Sequence, residues 1–278
     1  MDAIAASFEP PIAGTRIHPT AVVARGAELG IGVRVGPFCT VGQHVLIEDG
    51  AQLVSHVVVD GHTRVGPDAV IYPFCSLGLD PQDLKYRGEP TRCEIGARTQ
   101  IREHCTIHRG TATGKGVTRV GEDCILMAVA HVAHDCAIGD HVLIANNVVM
   151  GGHVSIADHA VIGGQAALHQ FIRIGRAAMV GGVSGVEADV VPFASVIGNR
   201  ARLAGLNVVG LKRRGFDKSQ IQRLRIAFRC LFGPEGVFAR RVAETRVRFG
   251  SDPLVAEVLT FIDAPSHRGL IRATPAIE

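Results

Sequence analysis

Aliphatic residues recur at every sixth position along most of the chain. They stand at Ile17, Val23, Leu29, Val35, Val41, Ile47, Leu53, Val59, Val65, Ile71 and Leu77, resume at Ile95, Ile101 and Ile107, and run again from Val120 through Leu126, Val132, Ile138, Ile144, Met150, Ile156, Ile162, Leu168, Ile174 and Val180 to Val186. A period of six matches neither a 3.6-residue helix nor a two-residue strand alternation, so each hexad predicts one short strand plus a corner. Three such flats close a triangular coil, and the 26 positions amount to nearly nine coils. Stacked at the inter-strand spacing of about 4.8 Å, they predict a prism roughly 40 Å long.

The residue two before the aliphatic one is often small, as at Ala21, Ala27, Ala51 and Ala69, which suits a second inward position beside a tight corner. Cys39, Cys75, Cys93, Cys105, Cys124 and Cys136 all fall in that slot, and no C-x-x-C spacing occurs. They read as small core fillers in a reducing compartment, not as metal or redox ligands. Two stretches interrupt the hexads: a polar one at about 78–94 and a Gly/Thr-rich one at 111–118. Both are expected to be loops leaving the prism, where substrate contacts are commonly placed.

After Val186 the hexads stop and helical signals begin. Asp217-Lys218-Ser219-Gln220 caps a segment with Ile221, Leu224, Phe228 and Leu231; Pro234 precedes Val237, Phe238, Val242 and Val247; Asp252-Pro253 opens a third helix. The expected organisation is a β-helical domain over 1–199 and a basic helical domain over 200–278.

Composition removes several classes. No run approaches the roughly 20 apolar residues that span a bilayer, and Met1–Pro11 lacks the basic and apolar form of a signal peptide, so the cytoplasm is the expected compartment. The net charge of +3 hides an asymmetry, because residues 200–278 carry 15 Lys/Arg against 7 Asp/Glu. That excess suits an acidic partner, phosphates or an acidic carrier protein. No aromatic platform accompanies it, which argues against nucleic acid.

The chemistry has to be found among the 13 histidines. His44, His56, His62, His104, His141, His153 and His159 all stand three residues after an aliphatic position, so that slot accepts histidine for scaffold reasons, and an outward orientation is their default. His134 differs, standing second after Val132 and beside Asp135, a carboxylate that can orient its imidazole. Val132, Met150 and Leu168 are 18 apart and share a flat. Gly152 then lies one coil from His134, about 5 Å away, with His153 beside it and His169 a coil further on. A glycine N–H so placed is a candidate oxyanion donor. On the residues alone, general base and subunit-interface histidine both stay open for His134.

The hexads resemble those of the bacterial hexapeptide transferases, which wind as left-handed parallel β-helices and trimerise. More specific are Asp83-Leu84-Lys85-Tyr86, Gly88-Glu89-Pro90-Thr91, Ile107-His108-Arg109-Gly110-Thr111, His131-Val132-Ala133-His134-Asp135-Cys136, Ala145-Asn146-Asn147, His169-Gln170-Phe171, Asn207 and Gly210-Leu211-Lys212-Arg213-Arg214-Gly215-Phe216. Together these look like the UDP-N-acetylglucosamine O-acyltransferases. The resemblance implies an all-β left-handed parallel β-helix with a C-terminal α-helical domain, a homotrimer, and the first step of lipid A biosynthesis.

In that family reading His134 takes the proton of the glucosamine 3-hydroxyl as it attacks the thioester of acyl carrier protein, supported by Asp135, with the Gly152 N–H on the oxyanion. Asp83, Lys85, His131, His153, His169, Gln170, Asn207 and Arg213 would hold the sugar, its phosphates or the acyl group. Gly182 would be the ruler for acyl length, open enough for a chain near fourteen carbons. Arg213, Arg214, Arg223 and Arg225 would dock the carrier protein. The thioester supplies the driving force, so no cofactor and no metal is implied. Relatives carry histidine after the asparagine near the end of the prism, whereas Asn199-Arg200 stands here, so the mouth of the acyl groove is expected to differ. The alternatives are a 3-amino acceptor sugar giving an amide, and a γ-type carbonic anhydrase in which interface histidines hold zinc. A non-catalytic β-helical scaffold is the plain structural reading.

Overall fold

The computed structural model describes residues 14–272. Met1–Pro11, read above for a signal peptide, lies outside the described residues. Short strands fall in turn into three sheets of 11, 9 and 8 strands, whose first members are Arg16–Ile17, Val22–Val23 and Glu28–Leu29. Every neighbouring pair is parallel until the last, and partners are one coil apart, as in Arg34↔Gln52, Val149↔Ala167 and Ser155↔Arg173. The fold is the left-handed parallel β-helix with a C-terminal helical part.

The repeat positions fill the prism. Ile47, Leu53, Ile71, Leu77, Ile95, Ile101, Ile107, Leu126, Ile144 and Ile162 are fully buried, and Cys39, Ala51, Ala69, Cys75, Cys93, Cys105, Cys124 and Cys136 pack between them. Burial, with the Asp135 charge adding to it, pushes the Cys136 thiol up to about 12.

The corners explain the histidine slot. All 18 non-glycine residues with positive φ among the described ones stand three places after a buried aliphatic, among them His56 (φ 51°), His104 (61°), Asp135 (60°), His141 (56°), Asn147 (59°) and His153 (63°). That conformation costs an L-residue roughly 1–2 kcal/mol, and Asn, Asp and His tolerate it best because their side chains bond locally. His44, His56, His62, His104 and His141 do lie outward and exposed. His153 and His159 do not, and both are half-buried. His62 also departs from the corner pattern, since it begins the strand His62–Val65.

The interruptions leave the ladder intact. Val70 pairs with Gln100 and Gln100 with Ile125, offsets of 30 and 25 residues where a plain coil has 18. The first excursion is held down by Arg109, which donates to the Tyr86 hydroxyl at 2.9 Å and the Gly78 carbonyl at 2.9 Å and pairs with Asp80. The second differs from expectation. It does not leave the prism but turns back on it, and Val117–Val120 is already a strand of the third sheet.

The strands also continue past Val186. Ala194–Ile197 joins the first sheet and Arg202–Leu206 closes it antiparallel. The fully buried Phe193, beneath the Arg176 guanidinium at 4.8 Å, plugs the upper end. Four helices follow among the described residues: α1 (Val208–Arg213), α2 (Lys218–Phe232), α3 (Phe238–Phe249) and α4 (Pro253–Asp263). Asp217 and Gln220 form a reciprocal capping box at α2, and Asp252 caps α4. Val247 of α3, read as apolar-face, is 88% exposed. No helix among the described residues is long and apolar enough to cross a membrane.

Candidate active site

The corner between the second and third sheets gathers most of the chemistry. His134 follows the strand His131–Val132, and its Nδ1 lies 2.9 Å from Asp135 Oδ2. With the buried carboxylate ionised, Nδ1 carries the proton and Nε2 is left as the basic atom. The imidazole lies against the Gly152 backbone. A methyl built on Gly152 would sit 2.5 Å from Cε1 and 2.7 Å from Nε2, closer than real contacts allow. Among the described residues nothing accepts from the Gly152 N–H, so it is free for a developing oxyanion beside that base.

His153 meets His134 edge-on, with ring centroids 5.2 Å apart, and stacks on Phe171 at 4.4 Å. Its Nε2 is 3.9 Å from Asp135 Oδ2. Burial holds the His153 pKa below the usual imidazole range against the raising effect of Asp135. His131 bonds Thr106 Oγ1 at 2.7 Å, and burial depresses it too. His169 and Gln170 are exposed one coil above, where the Gln170 carbonyl accepts from Arg268 Nε at 3.1 Å. His267 packs on Phe171 at 5.4 Å, so the chain's end returns to this corner, which the hexad frame could not foretell. Asp83 of the 78–94 stretch is near enough to act on His153, and Lys85 is exposed beside it.

The remaining candidates lie elsewhere on the single chain. Gly182 is at the corner between the first and second sheets, on a different edge of the prism from His134. An added Cβ at Gly182 would press on the Gly164 carbonyl oxygen at 3.2 Å, so a side chain there fits only if that backbone gives slightly. Asn207 caps α1, accepting from the Gly210 N–H at 2.9 Å and donating to the Ala177 carbonyl at 3.0 Å, at the corner between the third and first sheets. Each end of its amide is engaged once, which leaves a second donor and a second lone pair. Arg214 turns inward to the His159 carbonyl at that same corner, and Arg223 pairs with Asp252 at 2.8 Å. Arg213 and Arg225 are exposed. Of the four arginines expected to dock a carrier, Arg214 is therefore a structural strut.

Sequence reasoning passed over His108. It is buried, its Nδ1 has no hydrogen-bond partner, and its ring meets His131 edge-on at 5.0 Å. Burial, with His131 and His134 adding to it, pushes its pKa down to about 4. The signal was present in Ile107-His108-Arg109, one coil below the His131 segment. The ligand atoms of His134, Asp135 and His153 lie within 4.8 Å of one another. A cation there would have to displace existing donors from both Asp135 oxygens. That donor set fits an orienting carboxylate better than a zinc ligand.

Comparison with known proteins adds the following. Residues 189–271 match the family model described as Udp N-acetylglucosamine O-acyltransferase; Domain 2, and residues 117–152 match bacterial transferase hexapeptide (six repeats). A protein of Azorhizobium caulinodans named acyl-[acyl-carrier-protein]--UDP-N-acetylglucosamine O-acyltransferase is 52% identical over 254 residues, covering 91% of this chain and 94% of the relative. One of the same name from Brucella anthropi is 47% identical over 95% of this chain and 94% of its own. The crystal structure of UDP-N-acetylglucosamine O-acyltransferase from Moraxella catarrhalis RH4 superposes with a TM-score of 0.89 at 40% identity, covering 92% of this chain and 99% of that one.

The depressed His108 generates a pH prediction. Folded His108 takes its proton near pH 4, whereas the unfolded chain takes it near 6.5, so between those values the unfolded state binds more protons and stability falls as pH falls. The contribution is at most on the order of 3 kcal/mol across that window. Thermal melts from pH 7 to 4.5 should show a steeper loss in the wild type than in His108→Gln; equal slopes would refute it.

Proposed function

The chain belongs to the UDP-N-acetylglucosamine O-acyltransferase family, and from that membership we propose that it moves a 3-hydroxyacyl group from acyl carrier protein to the glucosamine 3-hydroxyl of UDP-N-acetylglucosamine, the first step of lipid A synthesis. The observation that carries the chemistry is His134 fixed between Asp135 and the free Gly152 N–H. Nε2 of His134 takes the hydroxyl proton as the oxygen attacks the thioester carbonyl. A C–O bond forms, and the carbonyl oxygen becomes an oxyanion facing the Gly152 N–H. Collapse breaks the C–S bond, and the leaving thiolate takes the proton back from His134. Asp135 stabilises the imidazolium throughout. Asp83, Lys85, His131, His153, His169 and Gln170 line the same corner and would hold the sugar nucleotide. An amine in place of the hydroxyl would use the same base; the relatives' names favour the oxygen acceptor.

Gly182 and Arg213 can join this site only across a boundary between copies of the chain, because they stand near the other two edges of the prism. The outer faces support such an assembly. The third sheet is charged and self-paired, with Arg64–Glu48 and Arg119–Glu94 bridges. The corner between the first and second sheets exposes Phe38, Phe74, Val129 and Val183, with His56 and His104 stacked among the phenylalanines. A homotrimer with active sites in the clefts covers that corner and brings Gly182 and the carrier-docking Arg213 and Arg225 of one copy toward His134 of the next.

Two measurements check this reading. In an assay of the purified protein with UDP-N-acetylglucosamine and 3-hydroxyacyl carrier proteins, His134→Ala should lose about 10²- to 10⁴-fold in rate while staying folded, and His159→Ala should change little. Equal losses would reject His134 as the base. Sedimentation should find no active monomer; full activity in a monomer would refute the shared cleft.

A further inference from the structure

We propose that the Thr111–Gly116 turn is an anion nest built around Asp135, and that the Thr111 hydroxyl sets how strongly Asp135 supports His134. The inference rests on the reading of His134 as the base. Closing the coil does not require the extra residues of this turn, since the ladder resumes in register on either side. What they do is surround one carboxylate.

Asp135 is fully buried. Its Oδ1 accepts from the Lys115 N–H at 2.8 Å and the Gly116 N–H at 3.1 Å, and the Thr111 N–H reaches both oxygens at 3.2 Å. Its Oδ2 accepts from Thr111 Oγ1 at 2.6 Å and from His134 Nδ1 at 2.9 Å. Gly114 is pressed against the carboxylate, where an added Cβ would lie 2.4 Å from Oδ2. The Asp135 N–H in turn donates to Thr118 Oγ1 at 2.8 Å. Apart from the imidazole, every donor to the carboxylate comes from this one segment.

An isolated buried carboxylate would protonate or repel the fold; a ring of N–H donors keeps it ionised. Burial does push Asp135 upward, but the hydrogen bonds from Thr111 and His134 outweigh it and leave the carboxyl below its ordinary value. The other charged and titratable groups facing the cluster are His153, Lys115 and Asp83, with His108 and His131 one coil below. The Thr111 hydroxyl and the His134 imidazole bond the same oxygen. They share its electron density, so removing the hydroxyl leaves Oδ2 to the imidazole and the longer Thr111 N–H bond and strengthens its hold on the protonated ring. Thr111 touches no reacting atom; it is a positioning residue.

The test is the pH profile of kcat/KM for the full-length wild type, Thr111→Val and Thr111→Ser, with UDP-N-acetylglucosamine and acyl carrier protein. Valine keeps the shape and loses the hydroxyl, and the acid limb should move to higher pH by about half a unit. Serine should restore the wild-type limb. A purely structural Thr111 would lower the melting temperature and the plateau without moving the acid limb, and that result overturns the proposal. So does a serine variant that behaves like valine. Should Thr111→Val fail to fold, Thr111→Ala removes the same hydroxyl and is held to the same criterion. An unmoved acid limb alongside an inactive His134→Ala overturns the nest alone, whereas an active His134→Ala overturns the base as well.

Discussion

Most flats of the prism end in a residue held at positive φ three places after the aliphatic, and this turn closes the chain into stacked coils. The register of every other residue follows from that constraint. Because the coils stack at one residue-to-residue offset, positions a coil apart in sequence face each other across about 4.8 Å. Gly152 is laid under the imidazole of His134, and Phe171 under that of His153, by the same arithmetic that pairs Val132 with Met150. Asp135 sits on one of the turns itself. Its backbone is fixed by the fold and its side chain points back inward, which gives the histidine an anchor that cannot rotate away.

The electrostatics of the corner follow from what surrounds that anchor. A buried carboxylate is affordable only if its lone pairs are met, and the 111–116 turn meets them with backbone N–H groups and one hydroxyl. The neighbouring histidines, His108, His131 and His153, are all depressed by burial. They are therefore mostly neutral at physiological pH and do not compete as cations for Asp135. His134 is left as the imidazole directly bonded to the charge, with its ring against the Gly152 backbone.

The period of six carried the fold, because the hexads, the small inward slot and the corner slot are all local properties of the chain. The helix caps at Asp217 and Asp252 were legible for the same reason. His134, Asp135 and Gly152 could be brought together by counting coils. What counting could not supply was the path of the two excursions. A Gly/Thr-rich stretch reads as an outward loop, and only tertiary contact reveals that Thr111 and Gly114 close on Asp135. The return of His267 and Arg268 to the Phe171 column was hidden for a related reason, since no periodicity links the end of the chain to the prism. The default outward orientation failed at His153 because burial depends on which corner a slot occupies, and this corner is roofed by neighbouring coils. His108 escaped notice because its burial comes from the neighbouring strand and not from its own hexad.

On the proposed reading, His134 can act as the base because its ring rests on a backbone with no side chain. Gly152→Ala tests it most directly. Gly152 lies outside the left-handed region, so alanine fits the backbone there, and the atoms nearest the added methyl all belong to the His134 ring. Acyl transfer by the folded Gly152→Ala protein should fall by at least about 10²-fold, the scale of losing an oriented base or an oxyanion donor, with a melting temperature close to that of the wild type. A folded Gly152→Ala protein that transfers acyl groups at near the wild-type rate would contradict the account.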